Sequence, residues 1–176
     1  MRLAIVGAGV VGRSVAELAP DRGHDVVAMG DSTSAVVADD SGEPVDVDAA
    51  LSRKAERGIV GDADPDDVLS ADYDALVEAT PTTLGDAEPG FSHVTAALER
   101  DRHVVLANKG PVAERFGDLQ AAAADSAGEV RFEATVGGAM PVLSTIEDHG
   151  AAHVDAVRGV LNGTANFVLS RMAAEG

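Results

Sequence analysis

The sequence predicts an α/β fold, in which a doubly wound parallel sheet is covered by helices and is followed by the beginning of a second, α+β domain. Short apolar runs alternate along the chain with segments whose apolar residues recur at helical spacing. The runs are apolar on both faces, which is typical of buried parallel strands. After about residue 134 the alternation gives way to a glycine-proline joint at Gly137, Gly138 and Pro141.

Six strands are predicted in the first domain, residues 1–134. Each is a short apolar run, and most are followed by a turn residue or a charged residue. The predicted strands cover 3–6, 25–29, 59–60, 75–79, 103–107 and 130–134. Because helices separate most of these strands, the chain can return to the same end of the sheet each time, and a parallel sheet follows.

Helices are predicted where apolar residues recur every three or four positions. The first runs through Val11, Val15 and Leu18 and is closed by Pro20, others cover 48–57, 92–100 and 111–126, and one begins at Asp64-Pro65. An acidic residue before a proline is a favourable start, because a carboxylate caps free N–H groups and proline fits the first turn. Gly58 and Gly128 are expected to end two of these helices.

Residues 135–176 are interpreted as a hinge and the start of an incomplete second domain, because this segment is too short to form a domain by itself. A helix is predicted over 142–148, a strand over 154–161 and a last helix over 164–174. The last helix carries the apolar residues Ala165, Leu169 and Met172, which need a surface to pack against.

Composition excludes several classes of protein. Of the 176 residues 45% are hydrophobic, which excludes a disordered acidic tail. No apolar run reaches the roughly 18 residues of a membrane span, and no secretory signal fits before Gly7. The absence of cysteine excludes disulfides, cysteine-bound zinc and a thiolate nucleophile, and we expect a cytoplasmic protein.

The chain is strongly acidic, with 13 basic and 30 acidic residues and a net charge of −17. Only two of the basic residues are lysines, Lys54 and Lys109. This charge repels nucleic acid and anionic membranes, so neither is expected as a partner. The acidic residues are dispersed, and salt weakens their mutual repulsion. We therefore favour a halophilic, high-salt cytoplasm over the alternative, a docking face for a cationic partner.

The glycine pattern after the first strand predicts a dinucleotide site. Gly7, Gly9 and Gly12 form G-x-G-x-x-G with Ala8, Val10 and Val11 between them, directly between a strand and a helix. The first glycine permits a tight turn, the second lets the backbone approach a pyrophosphate, and the third lets the helix pack on the sheet. This predicts a Rossmann-type fold that binds NAD or NADP; a glycine turn that only joins strand to helix is the alternative.

The choice between the two coenzymes stays open at this point. Asp31, 19 positions after Gly12, is placed to accept hydrogen bonds from ribose hydroxyls and favours NAD. Hydroxyls at 32–34 and the cations at 53–54 could instead contact a 2′-phosphate of NADP. The latter pair is equally well explained as a solvated helix face.

Two polar segments follow the fourth and fifth strands, where ligands bind in doubly wound sheets. They are Thr80-Pro81-Thr82 and Ala107-Asn108-Lys109. In a sequence with two lysines, one of them at this edge is a candidate to hold or polarise a carbonyl oxygen. A surface lysine at the start of a loop is the alternative.

Five motifs together resemble homoserine dehydrogenase, from one end of the chain to the other. They are GAGVVG at 7–12, EATPT at 78–82, ANKGP at 107–111, EATVGGAMP at 133–141 and LNGTANF at 161–167. The last two are far more specific than the glycine loop. The resemblance implies reduction of L-aspartate 4-semialdehyde to L-homoserine with NAD(P)H, on the route to threonine and methionine.

The resemblance also implies roles for individual residues. Coenzyme contacts fall on Gly7, Gly9, Val10, Val11, Gly12, Thr80, Pro81 and Lys109. Lys109 is implied to be catalytic, where coenzyme and substrate meet. Asn162, Gly163 and Thr164 are implied to contact the substrate, although a helix cap alone would explain Thr164.

A monovalent cation, Na⁺ or K⁺, is implied for the 133–141 segment. Oxygens of Glu133, Val136, Gly138 and Met140 would face it, several of them backbone carbonyls. An ordinary hinge is the alternative interpretation of these residues.

Homoserine dehydrogenases continue beyond this length into a substrate and dimerisation domain, and the full-length form is implied to be a homodimer or homotetramer. We therefore expect 135–176 to be the start of that domain and the chain to be a fragment or truncated product without the downstream proton donor. The alternative from another class is a non-catalytic NAD(P)-binding sensor that regulates a partner, which would leave the motifs at 133–167 unexplained. Since no thiol is present for an acylating oxidation, reduction of the aldehyde is the expected direction.

Overall fold

The computed structural model describes residues 1–39, 41–138, 140–156, 158–160 and 162–175. The chain divides into two compact units, Met1–Thr135, which we call unit 1, and Val136–Gly176, which we call unit 2. In the part of the chain that is described, no helix combines the length and the apolar character that crossing a membrane requires.

Unit 1 contains a six-stranded sheet in the order β3-β2-β1-β4-β5-β6. The strands are β1 (Arg2–Val6), β2 (Asp25–Gly30), β3 (Ala35–Val37), β4 (Ala75–Glu78), β5 (His103–Leu106) and β6 (Val130–Arg131). All neighbours are parallel except β2 and β3, which are antiparallel. The predicted α/β class with a doubly wound parallel sheet is confirmed, with the antiparallel β3 as the one departure among the described strands. The strand order reverses between β1 and β4, which is where such sheets bind ligands.

Eight α-helices are found among the described residues. Unit 1 has α1 (Val10–Leu18), α2 (Val47–Arg57), α3 (Asp67–Ser70), α4 (Gly90–Leu98), α5 (Gly110–Glu114) and α6 (Phe116–Ala124), and unit 2 has α7 (Val142–His149) and α8 (Gly163–Glu175). The Asp46 carboxylate caps α2 by accepting the Ala49 N–H at 2.9 Å, and Gly58 ends it with a φ of +79°. The predicted end of this helix is therefore correct.

The core of unit 1 lies on both faces of the sheet. One face buries residues of α3, α4 and α6 against the strands, among them Val68, Phe91, Val94, Leu98 and Leu119. The other face buries α1 and α2 through Ala16 and Leu51 against Ile5 and Met29. Strands that are buried on both sides require apolar residues at consecutive positions, which is the pattern that predicted them.

The prediction of the third strand was wrong. Residues 59–60 form no strand; β3 is Ala35–Val37, which folds back antiparallel on β2. The 59–63 stretch runs beside β3 but joins it through a single bridge, Ala35 to Ala63. The buried Ser34 hydroxyl accepts a hydrogen bond from the Val60 N–H at 2.9 Å, so that amide has a partner without forming a strand.

Helix positions differ from the prediction in three places. The helix expected over 111–126 breaks at Arg115, whose φ and ψ of −133° and 35° are not helical, and so forms α5 and α6. Gly128 does not end it; a Cβ there would lie 2.7 Å from the carbonyl carbon of Arg102, so the chain passes too closely for a side chain. The helix predicted to begin at Asp64-Pro65 begins instead at Asp67, as α3, directly after a turn in which the Asp64 carboxylate accepts the Asp66 N–H at 3.0 Å.

Of the three apolar residues that predicted the first helix, Val15 packs half-buried against the core, whereas Val11 and Leu18 are at least half exposed. The buried residues of α1 are Gly12 and Ala16. Small residues lie against the sheet because α1 starts so close to the turn that precedes it. The sixth strand is also shorter than predicted, since 133–135 form a 3₁₀ turn.

Unit 2 consists of α7, a 3₁₀ turn at Ala151–His153, and α8. Both predicted helices are present. The strand predicted over 154–161 is absent from its described residues, 154–156 and 158–160; Val157 and Leu161 lie outside the described residues.

Candidate functional site

The turn after β1 lies at the reversal of the strand order, and two of its glycines are required by lack of space. Gly7 has a φ of +107°, and a Cβ there would overlap the carbonyl oxygen of Ala79 and lie 2.8 Å from the Thr80 nitrogen. A Cβ on Gly12 would overlap the Gly7 carbonyl oxygen and lie 3.2 Å from Ile5 Cγ2. Helix α1 therefore packs directly on the turn, and the turn packs directly on the end of β4.

Gly9 differs from its neighbours, because a Cβ there would meet nothing within 4 Å. It precedes α1, and no side chain of the described residues caps this helix. The first N–H groups of a helix have no partner within it and carry partial positive charge. Open space in front of such groups suits a phosphate. The turn thus has the cradle that the pyrophosphate of a dinucleotide requires.

Asp31 follows β2, and its carboxylate already has four donors. Its Oδ1 accepts the Thr33 N–H at 2.8 Å, the Thr33 hydroxyl at 2.7 Å and the Ser34 N–H at 3.1 Å. Its Oδ2 accepts the Lys54 ammonium at 2.5 Å, and that ammonium also donates to the Gly58 carbonyl at 2.8 Å. Burial raises the pKa of Asp31, but the hydrogen bonds from Lys54 and Thr33 outweigh it and leave the pKa below its usual value.

This arrangement refines the sequence interpretation of the cations on α2. Lys54 lies against Asp31, whereas Arg53 points to Asp62, with the Nη1 to Oδ2 distance at 2.8 Å. The carboxylate and the ammonium at the end of β2 therefore form one unit. Four donors surround the Asp31 carboxylate, and the Lys54 ammonium is one of them.

The segments after β4 and β5 are joined by hydrogen bonds, as their predicted positions require. The Asn108 Nδ2 donates to Thr80 Oγ1 at 3.1 Å, and the Lys109 N–H donates to Thr82 Oγ1 at 3.2 Å. The Lys109 side chain is exposed. Because Gly7 packs on Ala79 and Thr80, the glycine turn and both segments meet at one edge of the sheet.

Glu78, the last residue of β4, was not singled out as functional from the sequence. Its side chain is fully buried beneath this edge. Its Oε1 accepts the Thr80 hydroxyl and, at 3.3 Å, the Thr80 N–H. The His93 Nδ1 of α4 lies 3.4 Å from the same oxygen. A charged residue at the end of the apolar run Ala-Leu-Val is the signal that could have identified it, because glutamate is rarely buried.

The remaining predicted site residues lie elsewhere in the chain. Glu133 is in the 3₁₀ turn that closes unit 1, whereas Val136, Gly138 and Met140 belong to unit 2. No group of three His, Asp, Glu or Cys side chains that could hold a metal occurs among the described residues. The cation site stays a prediction.

The substrate-contact prediction falls at the start of α8. Asn162 caps this helix, since its Oδ1 accepts the Ala165 N–H at 2.8 Å. The capping that sequence reasoning attributed to Thr164 is therefore made by Asn162. Contact of 162–164 with a substrate stays a prediction.

Two cavities lie away from this edge. One of about 300 Å³ is lined by the end of α1 and the start of α2, and one of about 360 Å³ lies between β3 and α2. Neither includes the glycine turn or residues 78–82.

The chain is similar to homoserine dehydrogenases in its family match and in its sequence. The family model described as homoserine dehydrogenase matches residues 141–176. The homoserine dehydrogenase of Methanocaldococcus jannaschii is 31% identical over 100% of this chain and 57% of its own length. The NAD(+)-dependent homoserine dehydrogenase of Pseudomonas canavaninivorans is 39% identical over 56% of this chain and 28% of its own length.

A solved structure gives the same result. The crystal structure of a homoserine dehydrogenase, described as putative, from Archaeoglobus fulgidus matches with a TM-score of 0.81 and 36% identity, over 99% of this chain and 55% of that one. The chain therefore spans little more than half the length of these two relatives, the Methanocaldococcus and Archaeoglobus proteins.

Proposed function

The chain belongs to the homoserine dehydrogenase family, and we propose that it supplies the coenzyme site for the NAD(P)H-dependent reduction of L-aspartate 4-semialdehyde to L-homoserine. The observation that carries the proposal is the glycine turn packed on the end of β4, with space in front of Gly9 at the start of α1. The curated relatives and the solved structure, which are named as homoserine dehydrogenases, support the choice of reaction.

The residues of the edge fit a dinucleotide in three places. Backbone N–H groups at the start of α1, including those of Val10 and Val11, would bind the pyrophosphate. The Asp31–Lys54 unit would contact the adenine ribose of NAD or NADP. Thr80 and Pro81 would border the nicotinamide, which supplies a hydride when the coenzyme is bound.

Lys109 is the residue to which we assign a role in the chemistry. Its ammonium is exposed at the edge that Thr80 and Pro81 border, and its backbone is fixed by the bond to Thr82. A positive charge there would bind and polarise the aldehyde oxygen of the substrate, because negative charge develops on that oxygen as the carbonyl is reduced.

Further parts of the proposal concern the rest of the enzyme. We propose that 1–134 is the coenzyme domain and that 135–176 begins the substrate and dimerisation domain, with 162–164 contacting the substrate. A monovalent cation would bind oxygens of Glu133, Val136, Gly138 and Met140. The enzyme would act in the cytoplasm, as a homodimer or homotetramer, in threonine and methionine synthesis.

The test of the coenzyme site is the substitution Gly9→Asp, followed by titration with NADH and NADPH by nucleotide fluorescence. A carboxylate in front of α1 would repel the pyrophosphate, and we expect an affinity loss of at least about 100-fold. The fold should be kept, because a Cβ at Gly9 meets nothing within 4 Å. Unchanged affinity would show that the coenzyme does not bind at this turn.

The matched control is Gly117→Asp on α6. A Cβ there also meets nothing within 4 Å, and the residue lies outside the proposed site. This variant should bind coenzyme as the unsubstituted chain does. In a full-length version of the enzyme, oxidation of NADPH on addition of the semialdehyde, lost in Lys109→Ala, would extend the proposal from binding to catalysis.

A further inference from the structure

The buried carboxylate of Glu78 begins a chain of hydrogen bonds that runs to Gly110. Which group donates and which accepts in each bond follows from the two ends of the chain, an N–H and a carboxylate. The Gly110 N–H can only donate, and it donates to Asn108 Oδ1 at 2.9 Å. The other end of that amide, Nδ2, then donates to Thr80 Oγ1 at 3.1 Å, and the Thr80 hydroxyl donates to Glu78 Oε1.

This chain of bonds has a polarity that requires an acceptor at position 78. The Thr80 hydroxyl has one proton, and the lone pairs on its oxygen receive the Asn108 amide. Its proton must therefore go to a group that accepts. Asn108 is 1% exposed and Glu78 is fully buried, so water has little access to either. Without the carboxylate, the hydroxyl of the half-buried Thr80 would lose its acceptor within the protein.

The structure around Glu78 provides space for this arrangement. The carboxylate lies at the start of α4, where a helix favours negative charge. Gly90 leaves the space, since a Cβ there would lie 2.5 Å from Asn108 Nδ2 and 3.4 Å from Glu78 Oε2. That second oxygen has no hydrogen-bond partner among the described residues.

The bonds connect the segments after β4 and β5 into one unit. Thr80 belongs to the first segment, and Asn108 directly precedes Lys109 in the second. We propose that Glu78 is a positioning residue, whose carboxylate, acting through Thr80 and Asn108, fixes Lys109 against the nicotinamide-binding edge. The inference deepens the proposed function and rests on it for the role of Lys109.

The two lysines of the chain allow a direct test. A sample labelled with ¹⁵N-lysine has two lysine amide signals, one from Lys54 near Asp31 and one from Lys109 at the strand ends. The variant Lys54→Arg removes the first signal and thereby assigns both. The main variant is Glu78→Met, which keeps an unbranched side chain and removes the acceptor. The Lys54 signal serves as the internal control: where it stays in place the fold is kept, and a changed Lys109 signal is then not a consequence of unfolding.

In the coenzyme-free protein, Glu78→Met should move or split the Lys109 signal and leave the Lys54 signal in place. Glu78→Gln, which restores an acceptor, should return the Lys109 signal toward its original position. With NADPH, the unsubstituted chain should show changes at both signals. In Glu78→Met the Lys54 change should persist while most of the Lys109 change is lost, with an NADPH affinity within about threefold because the glycine turn is intact.

A Lys109 signal that is the same in Glu78→Met and the unsubstituted protein would overturn the inference, and so would equal disturbance of both lysines. Absence of any NADPH effect in the unsubstituted chain would reject the proposed function instead, while the coenzyme-free spectra would still decide the role of Glu78.

Should Glu78→Met fail to fold, Gly90→Ala displaces the Asn108 amide with the carboxylate in place and should move the Lys109 signal. Gly117→Ala, which meets nothing within 4 Å, is its control and should move neither signal.

Discussion

The two units of the chain use apolar side chains in different ways. In unit 1, Leu76 of β4 is 0% exposed, with helices of the same unit packed on both faces of the sheet. In unit 2, Leu169 of α8 is 64% exposed, and no described residue is buried. Both leucines lie in elements that the sequence pattern predicted. A periodic pattern thus predicts that a helix or strand forms, whereas burial depends on a second surface that the pattern does not contain.

The consequence is a difference in stability between the units. Most of the stability of a helix in a protein comes from tertiary packing of its apolar face, not from its own hydrogen bonds. Unit 1 has that packing in its own core. Within the described residues of unit 2, α7 and α8 bury no side chain. Unit 2 should therefore open locally far more often than unit 1.

Amide hydrogen exchange gives the largest expected contrast. Amides of β1, β4 and β5 should exchange only through global unfolding, which corresponds to protection of about 10⁴-fold or more for a domain of ordinary stability. Amides of α8 should exchange with little protection. Mass spectrometry after proteolysis resolves both regions in one experiment. Similar protection in β4 and α8 would contradict the comparison.

A pair of identical substitutions gives the next largest effect. Leu76→Ala removes a fully buried side chain and should lower the free energy of unfolding by about 2–5 kcal/mol. Leu169→Ala, at an exposed position, should change it by less than about 0.5 kcal/mol. Urea unfolding followed by circular dichroism measures both. Equal losses would mean that α8 is packed as tightly as β4.

The same contrast explains which parts of the fold could be predicted from sequence. β4 was predicted to within one residue, because both of its faces are buried and its apolar run is unbroken. β3 was missed because only Ala35 is buried among its three residues, and it pairs by folding back through the turn that Asp31 caps. Local spacing carries no information about such a return.

The candidate site shows the same limit. The positions of Gly7, Gly9 and Gly12 follow from the turn itself and were predicted with their separate roles. The pairing of Asp31 with Lys54 joins residues 23 positions apart, through a long side chain with many conformers, and required the structure. The role of Glu78 also required it, since Thr80 and Asn108 meet only when β4 and β5 are paired.

Added salt should raise the stability of unit 1 more than that of unit 2, because unit 1 carries most of the charge. Residues 1–135 hold 26 acidic and 11 basic residues, and 136–176 hold 4 and 2. Self-repulsion therefore falls almost entirely on unit 1, and screening at molar KCl should relieve it. We expect the Tm of unit 1 to rise by several degrees, corresponding to about 1–2 kcal/mol, from low salt to 1 M KCl. A flat or falling Tm would count against the halophilic interpretation.

The smallest expected effect on stability concerns Asp31, which lies at the end of β2 and outside the apolar core. The Asp31 pKa is lowered by the bonds from Lys54 and Thr33, in spite of burial. Its carboxylate therefore contributes stability above the usual pKa of 3.8, and that contribution disappears as the pH falls through the lowered pKa. Asp31→Asn should cost on the order of 1 kcal/mol at pH 7, and the cost should vanish in acid. The difference between the two urea-unfolding curves, measured from pH 7 to about pH 2, tests this.

Asp62→Asn is the control, because its ion pair with Arg53 is exposed and should show no such trend. A cost that stays constant with pH would mean that the side chain acts through shape or hydrogen bonding alone, and not through its charge beside Lys54.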